Sequence, residues 1–134
     1  MPAWLKNLDQ RNVYIDGEVA SARDFMSSKS IMIVPLFSGS GMRIKIVEGL
    51  ALEKVIVSTT LGAAGIDYED GKNLLIANSR DEFVDKVSFL LENPKQRRAI
   101  GKRAGQLART AYDNDVVTRN LCTFFSELMT AATA

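Results

Sequence analysis

Histidine is absent from the 134 residues, and cysteine occurs only once. Without histidine there is no imidazole acid–base catalysis, and the commonest zinc ligand is missing. A lone cysteine, Cys122, cannot close an internal disulfide, which fits a reducing cytoplasm. Its neighbours Leu121, Phe124 and Phe125 point to a buried, unreactive thiol. No apolar run approaches the ~20 residues of a membrane span. The opening MPAWLKNLDQ lacks the apolar core of a signal peptide. Neither sign of charge is in excess: 17 basic and 16 acidic side chains leave a net charge of +1. Nucleic acid and anionic membranes therefore have no global electrostatic claim on the chain.

What is present suits one globular, soluble domain over residues 1–134. Hydrophobic residues make up 46% and charged residues 25% of the chain, the balance of a domain able to bury its own core. Four short apolar runs read as strands: NVYID (12–16), IMIVP (31–35), VIVS (55–58) and NLLIA (73–77). The second and third are almost wholly apolar and rich in β-branched residues, as in a parallel sheet covered on both faces. Helical patterns lie between or after them. The expectation is an α/β fold: a Rossmann-like, doubly wound parallel sheet of about four strands with helices on both faces.

The helices carry their own punctuation. Ser21 with Asp24 opens a short helix. Ser79 with Glu82 fits a capping box, followed by Phe83, Val84, Val87, Leu90 and Leu91 on one face. Asn93 and Pro94 restart the chain as N-cap and first helical residue. Ile100, Ala104, Leu107, Ala108 and Ala111 then form a buried stripe. Asp113 or Asn114 caps a last helix with Val117, Leu121, Phe124, Phe125 and Leu128 turned inward. Between Pro94 and Tyr112 lie six basic residues and no acid. This reads as the solvated face of a surface helix, with no interleaved aromatics to stack on bases.

The stretch LFSGSGM follows Pro35 at a strand end, where ligands gather in open α/β sheets. Gly39 and Gly41 allow close backbone approach. Ser38 or Ser40 is expected to cap a helix from about Met42 or Arg43 to Glu53. The free N–H groups at such a start, with the helix dipole and with Arg43 and Lys45 nearby, suit a phosphate. Two phosphate motifs fail. A Walker loop needs Gly-Lys-Ser/Thr, and a dinucleotide fingerprint needs a third glycine where Ile44 stands. The glycines alone fit a plain turn equally well. Glu48 sits among Ile44, Ile46, Val47, Leu50, Ala51 and Leu52. It either pairs with Lys45 on the surface or accepts hydrogen bonds from a sugar diol beside a bound phosphate.

The run IVPLFSGSGMRIKIVEGLALEKVIVSTTLGAAGI resembles the donor-binding region of the group 1 retaining GT-B glycosyltransferases. The resembling parts are IVP, GSGMR, VEGLA and KVIVST. Upstream VYIDGEVASARDFMSSKSIMIVP and downstream GAAGIDYEDGKNLLIA and LLENPKQRRAIGKRAGQLARTAYD continue it from about Asn12. The resemblance implies a nucleotide-diphospho-sugar donor, UDP- or GDP-linked, with no cofactor and no required metal. Glu48 matches the glutamate that binds the ribose. Gly41, Met42, Arg43 and Ile44, with Ser40 and Lys45 beside them, match the diphosphate- and sugar-binding backbone. Gly17 and Val19 match the turn beside the base. The sequence departs from the family at Ser40, where a glutamate often contacts the donor sugar, and at Arg43, a common glycine. A branch of the family carries this Gly-Ser-Gly-Met-Arg-x-Lys form, and the identity of the sugar stays open.

The resemblance covers only the later part of one of the family's two Rossmann-like domains. It implies a fragment that is inactive alone, whose parent supplies the N-terminal acceptor domain. The parent would be cytoplasmic and at most peripheral at the inner membrane face. Apolar surface on the last helix, around Phe124 and Phe125, would then lie uncovered and favour self-association. A non-catalytic binding domain that keeps the fold is the alternative, with Ser40 its best support. A receiver domain fits poorly, because the aspartate it needs at the end of its third strand is missing where VIVS ends in Ser58.

Overall fold

Val55–Ser58 is buried along its whole length, as expected of a strand with both faces covered. The computed structural model describes residues 12–132. Within it three parallel strands form one sheet: β1 (Ile31–Val34), β2 (Val55–Ser58) and β3 (Leu75–Ile76). β2 is central, with Ile31 opposite Val55 and Val57 opposite Leu75. Five helices accompany the sheet: α1 (Ala22–Ser28), α2 (Ile44–Ala51), α3 (Arg80–Glu92), α4 (Pro94–Ala111) and α5 (Asn114–Ala132).

Successive β2 side chains serve opposite layers, the two-residue period of a strand. Ile56 joins Ile46 and Leu50 of α2 in one cluster, with Ala63, Ile66, Leu74, Ala104 and Ala108. Val55 and Val57 join Leu90 of α3 in the other, with Leu75, Ala77 and Ile100. The doubly wound α/β expectation holds, since helices cover both faces. α4 contributes to both clusters.

One expected strand does not form. Residues 12–16 run as irregular chain, with Asn12 at φ 65° and Tyr14 81% exposed. A strand needs a partner for its backbone groups, and none among the described residues pairs with this segment. The described sheet has three strands where four were expected. NLLIA is also shorter than read. Leu75 and Ile76 form the strand, and an isolated bridge joins Asp70 to Leu74.

The caps follow the sequence more closely. Ser21 Oγ accepts the Asp24 N–H at the start of α1. Ser79 Oγ accepts the Glu82 N–H at 3.3 Å, while the Glu82 carboxylate accepts from the Ser79 hydroxyl and the Asn78 N–H. Ser79→Ala removes this cap and is expected to cost about 1 kcal/mol, read as a lower denaturation midpoint at unchanged slope. Leu90 is buried and Phe83 and Val87 half-buried, but Val84 and Leu91 face solvent. Asn93 precedes Pro94 as expected but does not cap α4 with its side chain. Instead its Nδ2 donates to the Phe89 carbonyl and closes α3.

The last helix departs most from expectation. Asp113 caps it, its Oδ1 accepting the Asp115 N–H at 2.9 Å. Yet Val117, Leu121, Phe124, Phe125 and Leu128 are exposed by 49–54%, not inward, and Cys122 is exposed, not buried. The apolar spacing correctly marks one face, but no described element lies over it. No helix among the described residues is long and apolar enough to cross a membrane.

Candidate functional site

The chain leaves β1 at Val34 and reaches α2 through a loop shaped by two glycines at positive φ, Gly39 at 111° and Gly41 at 82°. Neither Ser38 nor Ser40 caps the helix. Arg43 occupies the N-cap and makes no side-chain cap bond. Its guanidinium folds back over the loop, where Nη1 donates to the Ser40 carbonyl at 2.9 Å. The φ of Gly39 favours glycine, and a Cβ there would lie 2.6 Å from Nη2 and push the guanidinium aside. Arg43 Nε is buried without a partner among the described residues.

The Arg43 carbonyl accepts the N–H groups of Ile46 and Val47. The N–H groups of Ile44 and Lys45 have no acceptor among the described residues. They open from the positive end of the helix dipole beside an arginine and a lysine, a setting that favours an anion. Met42 lies across the loop against Gly65, and Ile44 is 71% exposed.

Glu48 stands one turn further along α2. Lys45 Nζ donates to its Oε2 at 2.8 Å, so the surface pair allowed by the sequence does form. That pair also lines a cleft of about 380 Å³ between α1 and α2, with Ala22, Arg23, Met26, Ala51 and Leu52. The carboxylate is 43% exposed and remains open to a ligand. An exposed ion pair of this kind is worth at most ~1 kcal/mol and can be exchanged for other hydrogen bonds. Gly17, at φ 71°, is exposed and Val19 half-buried in the approach to α1. Neither lines the cleft.

Sequence reasoning missed the groups that hold the loop's base. Ser58 and Thr59 are buried polar residues at the carboxyl end of β2. Ser58 Oγ donates to the Val34 carbonyl at 3.3 Å and Thr59 Oγ1 to the Leu36 carbonyl, while Thr59 Oγ1 accepts the Gly62 N–H at 2.9 Å. Gly62 fits here because a Cβ would meet both hydroxyls and the Val34 carbonyl. The available signal was Ser-Thr-Thr directly after a strand with both faces buried, since buried hydroxyls demand partners. The basic stretch of α4 is an outer face: Lys95, Arg98, Lys102 and Arg103 are exposed, and Arg109 pairs with Glu53 at 3.3 Å.

The family pattern described as glycosyl transferases group 1 matches residues 1–93, a span that includes the glycine loop, α2 and Glu48. This chain belongs to the group 1 glycosyltransferases. An uncharacterized glycosyltransferase of Methanocaldococcus jannaschii is 32% identical over 94 residues, covering 69% of this chain and 26% of that protein. An uncharacterized 44.6 kDa protein in the cps region of Klebsiella pneumoniae is 26% identical over 87 residues, covering 65% of this chain and 22% of its own. The crystal structure of Anabaena HepE in complex with UDP superimposes with a TM-score of 0.70 at 17% identity, over 77% of this chain and 29% of that one. That likeness supports the GT-B type of Rossmann-like fold. The chain spans about a quarter of the length of these two curated relatives.

Proposed function

We propose that this chain is the nucleotide-sugar-binding part of a glycosyltransferase whose parent transfers a sugar to an acceptor hydroxyl with retention of configuration. One observation carries the reading: a half-exposed carboxylate, Glu48, lines a cleft one helical turn from two open amides. A nucleoside diphosphate carries both a diol and a diphosphate. In this reading the amides of Ile44 and Lys45, with the Arg43 guanidinium, take the diphosphate. Glu48 releases Lys45 and accepts from both ribose hydroxyls. Each charge-assisted hydrogen bond is worth ~1.5–3 kcal/mol, enough to replace the surface pair. Gly17 and Val19 approach the base, and Ser40, Gly41 and Met42 the donor sugar.

The same groups would serve the reaction. Negative charge grows on the departing diphosphate as the bond to the sugar breaks. Amides and cations fixed at that point stabilise it without reorganising. The acceptor side belongs to the rest of the parent, so the chain alone binds donor and does not turn it over. Support for the reading comes from the family membership and from the UDP held by Anabaena HepE.

Calorimetric titration with UDP and GDP tests it. Weak binding of one nucleotide is expected, and Glu48→Ala should reduce it at least about 10-fold, since each charge-assisted bond lost is worth ~1.5–3 kcal/mol. Equal affinity in Glu48→Ala, with an unchanged circular dichroism spectrum, removes Glu48 from the site. Sugar transfer by this chain alone would overturn its assignment as an incomplete enzyme.

A further inference from the structure

Lys45 stands in the first turn of α2. A cation there faces the positive end of the helix dipole, an unfavourable place for it. Arg43, at the N-cap, adds a second positive charge, and its Nη1 is already committed to the Ser40 carbonyl at 2.9 Å. Lys45 is placed differently. Its side chain is 61% exposed, and Nζ reaches forward to Glu48 Oε2 at 2.8 Å. That reach carries the charge away from the helix start. It also sets the charge on the carboxylate that lines the cleft between α1 and α2. A diol is best held by both oxygens of a carboxylate, and Lys45 occupies one of them. The ammonium is therefore a competitor for the place of a sugar diol, built into the cleft itself.

We propose that Lys45 is a specificity-determining residue that makes this cleft select nucleoside diphosphates over free nucleosides. The inference rests on the nucleotide reading above. A free nucleoside brings only a diol. To accept it, Glu48 must give up Lys45, whose charge is then left beside the helix dipole with no new partner. A nucleoside diphosphate brings that partner with it. Its anion at the amides of Ile44 and Lys45 reverses the sign of the local field, and Nζ turns from Glu48 to a phosphate oxygen. One residue supplies both an open amide and the ammonium, so the exchange is a rotation of one exposed side chain and leaves the helix where it is. Freeing Glu48 is thus compensated only when the ligand carries its own anion.

NMR titration of the whole chain and of Lys45→Met tests this, with UDP or GDP, whichever binds, and with its nucleoside. Methionine keeps the unbranched stem and a high helix propensity and removes the charge. The expected effects have opposite signs. The nucleoside should bind about 2- to 5-fold tighter, the worth of one exposed ion pair, while the diphosphate binds more weakly. The preference for the diphosphate should fall at least about 10-fold, the worth of one charge-assisted bond. Lys45→Arg should restore most of that preference. Nucleoside binding that is unchanged or weakened in Lys45→Met overturns the proposal. So does an undiminished preference for the diphosphate, or a nucleoside that binds neither protein in the millimolar range. If Glu48→Ala still weakens the diphosphate in these cases, the nucleotide reading stands and only the role of Lys45 falls. If neither UDP nor GDP binds the unmodified chain, both fall together.

Discussion

Gly101→Ala is expected to destabilise the chain by about 2 kcal/mol or more, while Gly49→Ala is neutral or stabilising. Both glycines are buried within helices, where alanine is ordinarily favoured by ~1 kcal/mol. Their surroundings differ. A Cβ at Gly101 would lie 3.3 Å from the Glu53 carbonyl carbon and nearer still to its oxygen. That carbonyl cannot retreat easily. Glu53 follows α2 in a closing turn, at φ 55°, with the Glu53 N–H bonded to Leu50 and the Lys54 N–H to Gly49. This is a Schellman motif with glutamate where glycine is usual. At Gly49 the nearest atoms are Met32 Sδ at 2.9 Å and Ile56 Cδ1 at 3.0 Å, both ends of flexible side chains. Thermal unfolding separates the two outcomes. At this size the Gly101 variant should melt roughly 6–10 °C lower. Equal melting temperatures would mean that α4 shifts away from Glu53 at little cost.

Thr59→Val has a comparable expected effect through a different cause. Valine preserves the volume and removes one hydroxyl. That hydroxyl serves the Leu36 carbonyl and the Gly62 N–H together, so two polar groups lose their partner at once. At ~1–3 kcal/mol for each buried unsatisfied group, and less for the half-buried Leu36 carbonyl, the loss should reach about 2–4 kcal/mol. This is a large share of the ~5–15 kcal/mol that holds a domain folded. Thr59→Ser keeps the hydroxyl and loses only a methyl group, worth ~1 kcal/mol. Urea denaturation of the pair should therefore rank serine well above valine. Leu36 leads into the glycine loop, so valine should also weaken nucleotide binding while serine leaves it nearly intact. A valine variant as stable as the serine variant would remove the hydroxyl from this role.

Much of the core was legible because local and tertiary demands agree there. VIVS is β-branched and apolar on both faces, and it is the buried central strand. Ser21 and Ser79 precede helices with acids three positions on, and both cap. Lys45 and Glu48 stand three apart on α2, and they pair. The remainder depended on contacts that spacing does not encode. The loop's course is set by positive φ at two glycines and by Arg43 returning to Ser40, which moves the helix start past both serines. Gly101 and Gly105 interrupt the stripe read as Ile100, Ala104 and Ala108. Their purpose appears only when Glu53, far away in sequence, is seen against them: a Cβ at Gly105 would lie 2.6 Å from Glu53 Cγ. The inward face assigned to α5 was a correct face without a neighbour. Residues 12–16 had strand composition without a strand to pair with.

α4 joins the two apolar layers, with Ile100 in one and Ala104 and Ala108 in the other. α4 cannot leave without exposing both. The sheet, α2, α3 and α4 are therefore expected to unfold as a single cooperative unit, with central amides that exchange through global unfolding. α5, with its apolar face outside both layers, is expected to exchange its amides sooner than this unit.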